Sequence, residues 1–430
     1  MIETLQISGY RLLRDFTADL EPLTVIIGPN SVGKSTLLDC LQLICQCAEN
    51  PISNVVAWHW GMGSILSADA QNNEISWALT FRKPKRTVWS TLPIDPDELL
   101  YYEVVLRSDM QAQPYLQYEV LCRAKAAHGF VEPFKFLEAR EQRRYIYSRE
   151  KRGLIPFDQA VPAPDQGQKN SQTGIDSPDL LLPAKAQEST LMLSNIRFFN
   201  DYPIPSSARL LLSSMAFYPG FDVTRHSNLR MKPAEIRPTT VLAPNGENLG
   251  TVLHEILTRY DYRSAANEVR DFVRAGYPTF EEIHCDTTFG APAQVVVRVR
   301  EKGMRRSMEL WELSDGMVRF LCLAVALLNP SPPPFVAVDE PEAGLHPKLL
   351  PIVADMIRTA AERTQVLATT HSPELLDSLA LEDIAVMVRK EDAVVWHRPA
   401  TRQTLRTMLT DVAGGTLGDL HRSGELEATA

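Results

Sequence analysis

No run of eighteen uninterrupted apolar residues occurs in the sequence, so none of it reads as a membrane-spanning helix. Its opening, MIETLQISGY, carries an early acid and not a basic leader, and we expect a cytoplasmic protein with no membrane partner. Cysteines are few: six in 430 residues, at 40, 45, 47, 122, 285 and 322, with no pair at zinc-like spacing. Several fall on apolar helical faces and read as reduced core thiols. Excess positive charge is missing too. The net charge is −9 and the isoelectric point about 5.6, which argues against a surface given over wholly to nucleic acid. No heptad pattern is sustained, and that excludes long coiled-coil arms. What the chain does have is 44% hydrophobic residues, enough for one large core and a second, smaller unit.

Residues 28–36 read GPNSVGKST, between the apolar run 23–27 and an apolar helical pattern beginning at Leu37. Strand, glycine loop and helix in that order make a P-loop, whose backbone N–H groups cradle phosphates at a helix N-terminus. Gly28 and Gly33 allow the tight turn. Lys34 is placed to reach the terminal phosphates of a nucleoside triphosphate, and the hydroxyl of Ser35 to coordinate Mg²⁺.

Three hundred residues later, FVAVDE (335–340) is a strand ending in two acids. At the carboxyl edge of a parallel sheet it would stand beside the P-loop. Asp339 would then hold Mg²⁺, and Glu340 would orient and deprotonate an attacking water. Alone, an acidic strand end says little; with a P-loop it says much more. Leu-Ser-Asp-Gly (313–316) precedes an apolar helix, and VLATTHS (366–372) is another apolar strand ending at His371. By itself His371 reads more simply as a hydrogen-bonded histidine at a strand end.

In order and spacing these pieces resemble the ATP-binding-cassette (ABC) ATPases: Walker A, signature, Walker B, D-loop and switch histidine. GYRLLRDF near the start, LSDGMVRFL, DEPEAGLHP, TTHSPELLD and the tail GGTLGDLHRSGEL narrow the resemblance. They look like the stand-alone ATPases of the RecF/OLD-like branch, the AAA-type abortive-infection group, several of which act in antiphage or toxin–antitoxin systems. Residues 1–45 and about 240–425 carry the likeness well; 50–240 carry it poorly. Two positions depart from the pattern. Ser31 stands where the family usually has Gly or Ala, and Asp315 replaces the usual first Gly of the transporter signature.

The resemblance implies an α/β fold: an ABC-type P-loop core with an antiparallel β subdomain and a helical lobe. We divide the chain into 1–48 (first part of the core), 49–240 (a divergent region with strands and a mobile loop at 156–189), 241–290 (helical lobe) and 291–430 (second part of the core). It also implies ATP and Mg²⁺ as cofactors. Asn30, Ser31, Gly33, Lys34, Ser35, Thr36 and Arg11 would contact ATP, Ser35 and Asp339 the metal, and Glu340 and His371 would be catalytic. Ser314 and Gly316 would cap the triphosphate bound by a second chain, so the working unit would be a homodimer or a higher even oligomer. The glutamine that watches the metal in this family is not placed by the sequence; Gln71, in a polar loop, is a candidate.

Elsewhere the reading is organisational. Residues 2–8 and 16–27 read as strands, and the resemblance implies that this opening builds a small antiparallel sheet against the nucleotide. EISWALTF, YYEVVLR and LQYEVLC between 74 and 122 alternate as antiparallel strands do. Helical period returns at 248–260, followed by strands near 280–286, 293–301 and 305–311. REQRRYIYSREKR (140–152) has six basic side chains with Tyr145 and Tyr147 among them. It reads either as a solvated face or as a contact for nucleic acid. Three functions stay open: a switch gating a separate effector such as a nuclease or toxin, a RecF-like DNA-clamping repair ATPase, and an OLD-type nuclease. Acidic total charge weighs against the second. The 59 residues after His371 leave no room for the third's metal-binding domain.

Overall fold

The structure, a computed structural model, describes residues 1–84, 88–126, 130–141, 143–160, 189–196, 199–288, 293–401 and 415–428. Most of the loop expected to be mobile, 161–188, lies outside the described residues.

Among the described residues, six strands form the sheet that carries the P-loop. In spatial order they are Ala216–Tyr218, Phe335–Val338, Gln365–Thr369, Leu23–Ile27, Ile384–Lys390 and Ala393–His397. The first five run parallel and the last pairs antiparallel. LTVII, FVAV and QVLAT are buried along their whole length, as strands covered on both faces must be. Side chains alternate between the two faces. Val25, Ile27, Val336, Val338, Val366 and Ala368 face one core, with the helices Leu249–Thr258, Arg263–Gly276, Asp315–Leu327 and Leu350–Ala361. Ile26, Phe335, Ala337 and Leu367 face the other, with the P-loop helix Lys34–Cys47.

That second core is closed by an eight-stranded antiparallel sheet. Its order is Leu13–Asp19, Ile2–Tyr10, Glu74–Phe81, Leu100–Ser108, Pro114–Arg123, Lys135–Arg140, Arg143–Ser148 and Gly153–Pro156. The opening strands therefore build no small sheet of their own, because Ile2–Tyr10 pairs with Glu74–Phe81 on its other edge and the middle region continues it. The strand expected over 16–27 divides at 20–22. Leu13–Asp19 stays in the antiparallel sheet, and beyond Pro22, which has no N–H to donate, Leu23–Ile27 enters the parallel one. Gln365 ties the two sheets together: its Nε2 donates to Ile2 O at 2.7 Å, and Ile2 N donates to its Oε1 at 2.8 Å. A third, smaller sheet holds Phe280–Thr288, Gln294–Glu301 and two short strands, under the helices Leu249–Thr258 and Arg263–Gly276. Of the strand expected at 305–311 only Met308–Glu309 forms; Leu310–Glu312 turns into a 3₁₀ helix capped by Glu309. The longest helices among the described residues have 14 residues, far short of coiled-coil arms.

Candidate nucleotide-binding site

Because the strands run parallel, their carboxyl ends meet at one edge, and the P-loop leaves from it. Gly28, at φ 147°, has no room for a side chain, since a Cβ there would lie 2.1 Å from the carbonyl oxygen of Met387 on the neighbouring strand. Ser31 (φ 63°) and Gly33 (φ 113°) continue the left-handed turn. Asn30 and Ser31 are exposed along it, while Lys34 is buried and folds back onto the loop. Its Nζ donates to Gly28 O at 2.8 Å and to Pro29 O at 3.1 Å. Burial lowers the pKa of Lys34, and the charges of Glu340, Asp339 and Glu342 oppose that shift. The lysine is thus poised over an acidic edge. No side chain caps the helix it begins, so the first-turn N–H groups are left for an anion.

A cavity of about 330 Å³ opens at that turn, lined by Ser35, Thr36, Asp39, Arg11, Tyr218 and Asp339 among others. The hydroxyls and carboxylates in this lining, beside the uncapped helical N–H groups, fit a metal–triphosphate: Ser35 and Asp339 would hold the ion, and Lys34 the phosphates. A larger cleft of about 460 Å³ at the far end of the same helix shares Gln42 and Phe217 with it but holds none of the motif residues.

Hydrogen bonds from a pair of threonines fix the acidic edge. Asp339 N donates to Tyr218 O at 3.0 Å, and its carboxylate accepts from the Thr369 hydroxyl. That same Thr369 oxygen accepts from Glu340 N at 3.1 Å. Glu340 has φ 45°, a left-handed conformation uncommon outside glycine and frequent at functional sites. Its half-exposed carboxylate lies 3.8 Å from His371 Nε2. The pKa of His371 is lowered by burial and by Lys34, against the pull of Glu340, so the imidazole is neutral near pH 7.

Arg11 also reaches the cavity but is already engaged. Its Nη1 is 2.7 Å from Asp39 Oδ2, and its Nε donates to Ser64 O at 3.3 Å. Asp39 also accepts from the Tyr10 hydroxyl at 2.9 Å and meets His59 Nδ1 at 3.0 Å. Burial works against its ionisation, but the His59 and Tyr10 hydrogen bonds and the Arg11 charge prevail and hold the carboxyl below its ordinary range. Gln71 sits in the 3₁₀ turn before Glu74–Phe81, and its side chain lies outside what the structure describes.

Ser314 and Gly316 line no part of this cavity. Ser314 caps the helix Asp315–Leu327, its Oγ accepting from Met317 N at 3.2 Å. Gly316 faces the loop after the acids: a Cβ there would sit 3.5 Å from Gly344 O. Arg230 holds the turn from beneath. With 1% of its side chain exposed, it donates to Leu313 O at 2.7 Å and to Asp315 Oδ1 at 2.6 Å. Asp315, where the transporter signature has glycine, is therefore the partner of a buried guanidinium. The structure gathers Lys34, Ser35, Asp339, Glu340 and His371 at one edge and sets Ser314 and Gly316 apart. Sequence reasoning missed Thr369, Tyr218, Asp39 and Arg230. The paired threonines before His371 were a visible signal; a lone arginine in an irregular segment was not.

This architecture is that of the ABC-type ATPase heads. An SMC head bound to the C-winged helix domain of ScpA superposes with a TM-score of 0.52 at 13% identity, over 92% of this chain and 96% of that one. An SMC head with an extended coiled coil, bound to the C-terminal domain of ScpA derived from Pyrococcus furiosus, gives 0.51 at 12% identity, over 95% and 99%. The chain belongs to the family described as "AAA domain, putative AbiEii toxin, Type IV TA system", whose profile matches residues 137–377. An "AAA ATPase domain" profile matches residues 1–195. A stretch of 44 residues is 43% identical to an OLD nuclease of Thermus scotoductus, covering 10% of this chain and 8% of that protein. The chain thus has the fold of an ABC-type ATPase head and belongs to the AAA-domain family.

Proposed function

We propose that the chain binds and hydrolyses ATP with Mg²⁺ between two copies of itself and serves as a switch for a separate effector, a nuclease or a toxin, in antiphage defence or a toxin system. One observation carries this reading: the P-loop lysine and hydroxyl, both acids and the histidine share a single edge, while Ser314 and Gly316 stand at the start of a separate helix, Asp315–Leu327. A signature turn off its own cavity is of use to a second chain.

In this reading Lys34 exchanges its bonds to Gly28 O and Pro29 O for phosphate oxygens. Ser35 and Asp339 hold the metal, with Asp339 oriented by Thr369. Bound Mg²⁺–ATP would supply an electrophilic phosphorus, the metal offsetting the negative charge of the phosphate oxygens. Glu340, half-exposed, orients the water and takes its proton. Neutral His371 donates a hydrogen bond toward the terminal phosphate. Ser314 and Gly316 of the other copy close the site, so binding is linked to pairing and hydrolysis to release. Residues 49–240 are then the region that meets the effector.

A second reading, a DNA-binding RecF-like ATPase, draws on the basic run at 140–152. Arg143 to Ser148 is a strand of the eight-stranded sheet, and the turn after it leaves Arg149, Lys151 and Arg152 exposed. Part of the run is used internally, because Arg140 pairs with Glu138 at 3.1 Å and Arg144 donates to Thr190 O at 3.4 Å. That use favours the switch. No helix among the described residues is long and apolar enough to cross a membrane.

The test is ATPase activity against protein concentration for wild type and Glu340→Gln, with sizing in ATP, each with and without duplex DNA. A dead variant that retains ATP and runs as a larger species supports the two-chain site. Stimulation by DNA would move the reading to the clamp. Full activity in a strict monomer would overturn the composite site.

A further inference from the structure

The histidine strand ends in two threonines, and each is taken by a different carboxylate. Thr369 goes to Asp339. Thr370 Oγ1 donates to Glu342 Oε1 at 2.6 Å, and the backbone N–H of His371 reaches the same oxygen at 2.8 Å. Thr370 Oγ1 in turn accepts from Ser372 N at 3.0 Å. One carboxylate oxygen thus holds both the residue before the histidine and the histidine's own backbone. The other oxygen, Oε2, is enclosed and meets no donor. Like Glu340 and His371, Glu342 lies outside the lining of the 330 Å³ cavity, and its charge acts on both Lys34 and His371. Only Pro341, with its fixed φ, separates it from Glu340.

We infer that Glu342 is a positioning residue for His371. By gripping the Thr370 hydroxyl and the His371 backbone N–H from the acidic loop, it fixes the imidazole relative to Glu340, at the 3.8 Å separation seen here. Asp339 and Glu342 brace the strand end through consecutive hydroxyls, and Glu340 between them is left free to act. The inference rests on the ATPase reading above and adds a group to it that does not touch the reacting atoms.

Four variants test it: Glu342→Ala, Glu342→Gln, Thr370→Val and His371→Ala. Glutamine keeps an oxygen for both donors and puts its amide where Oε2 has none. Glu342→Ala and Thr370→Val should lower kcat roughly tenfold or more, the scale on which a misplaced proton donor acts, while the dissociation constant for a fluorescent ATP analogue stays within about threefold. Glu342→Gln should stay near wild type. Adding Glu342→Ala to His371→Ala should cost little more than His371→Ala alone, because the two act as a unit.

A readout independent of activity is the ring resonance of His371 without nucleotide. It should shift in Glu342→Ala and Thr370→Val and stay in place in Glu342→Gln. An unmoved resonance in the first two variants, effects of Glu342 and His371 that multiply, or a glutamine as damaging as alanine would each overturn the role. Wild type that neither hydrolyses nor binds ATP would sink the ATPase reading instead, and the resonance would still decide on Glu342.

Discussion

Replacing Arg230 by methionine isolates what holds the signature turn. The guanidinium is 1% exposed and donates to Leu313 O at 2.7 Å, to Leu310 O at 3.4 Å and to Asp315 Oδ1 at 2.6 Å. Methionine preserves most of the packing of the stem, so the loss is chiefly polar. A buried acceptor left without a donor costs about 1–3 kcal/mol, and the Leu313 carbonyl is the one firmly bound. The long bond to Leu310 adds a smaller part. Asp315, 70% exposed, returns to water, and the pair itself is worth at most about 1 kcal/mol after screening. Arg230 Nε has no partner in the folded state, and removing it relieves a cost already present. The balance is about 2–3 kcal/mol for Arg230→Met and under about 1 kcal/mol for Asp315→Asn. Urea unfolding of both variants measures the difference. ATP turnover at saturating protein should fall in Arg230→Met, because Ser314 and Gly316 ride on the turn it supports. Equal destabilisation by the two substitutions, or a loss below about 0.5 kcal/mol for Arg230→Met, would refute this assignment of the energy to buried carbonyls.

The His371 ring should titrate below its ordinary 6.5 when followed by NMR, since burial and Lys34 lower its pKa against Glu340. Lys34→Met should raise the midpoint and Glu340→Gln lower it further; a wild-type midpoint above 6.5 would mean the carboxylate governs. The same shift makes stability fall as pH drops through 6.5, where the unfolded chain takes a proton more readily, and the loss stops below the folded-state value. Gly418→Ala should loosen the C-terminal helix Leu417–Arg422, because a Cβ at 418 would lie 2.6 Å from both Pro373 O and Asp377 Oδ1. The bond from Gly418 N to Asp377 Oδ1, 2.7 Å, would go with it. Faster hydrogen exchange across 417–426 checks this, and unchanged protection of Leu420 would contradict it.

The nucleotide edge was legible in the sequence because each of its parts is a contiguous motif with local meaning. An apolar run before glycines gives strand, loop and helix without any knowledge of neighbours, and an apolar run before Asp339 gives a strand end. Which strands pair is not written locally. Ile2–Tyr10 alternates as well against Glu74–Phe81 as against Leu13–Asp19, and it uses both edges, so a small sheet in expectation became one of eight strands in fact. Ala216–Tyr218 is too short to announce itself, yet it completes the parallel sheet and gives Tyr218 O to Asp339. Arg230 lies in a segment with no period at all. Its importance comes entirely from burial, which composition does not reveal.

The acids and the P-loop take their positions from parts that carry no chemistry. Gly28 has one fit because Met387 O, on a strand that ends in no motif, stands 2.1 Å from where a side chain would begin. Gln365 joins the start of the histidine strand to Ile2, so the first residues of the chain and a strand more than 360 positions away are set against each other before any site residue is reached. Parallel pairing then carries that register to the far ends, where Ile26 lies level with Thr369 and Val338 with Ala368. Three segments, the first hundreds of residues from the other two, therefore present Lys34, Asp339 and His371 together. Insertions in the connections lengthen the loops without moving the strand ends, as long as the sheet keeps its register. The strands from Glu74–Phe81 to Gly153–Pro156 join that scaffold through the antiparallel sheet, on the side of the core away from the signature helix. They are free to diverge in sequence while the edge keeps its geometry.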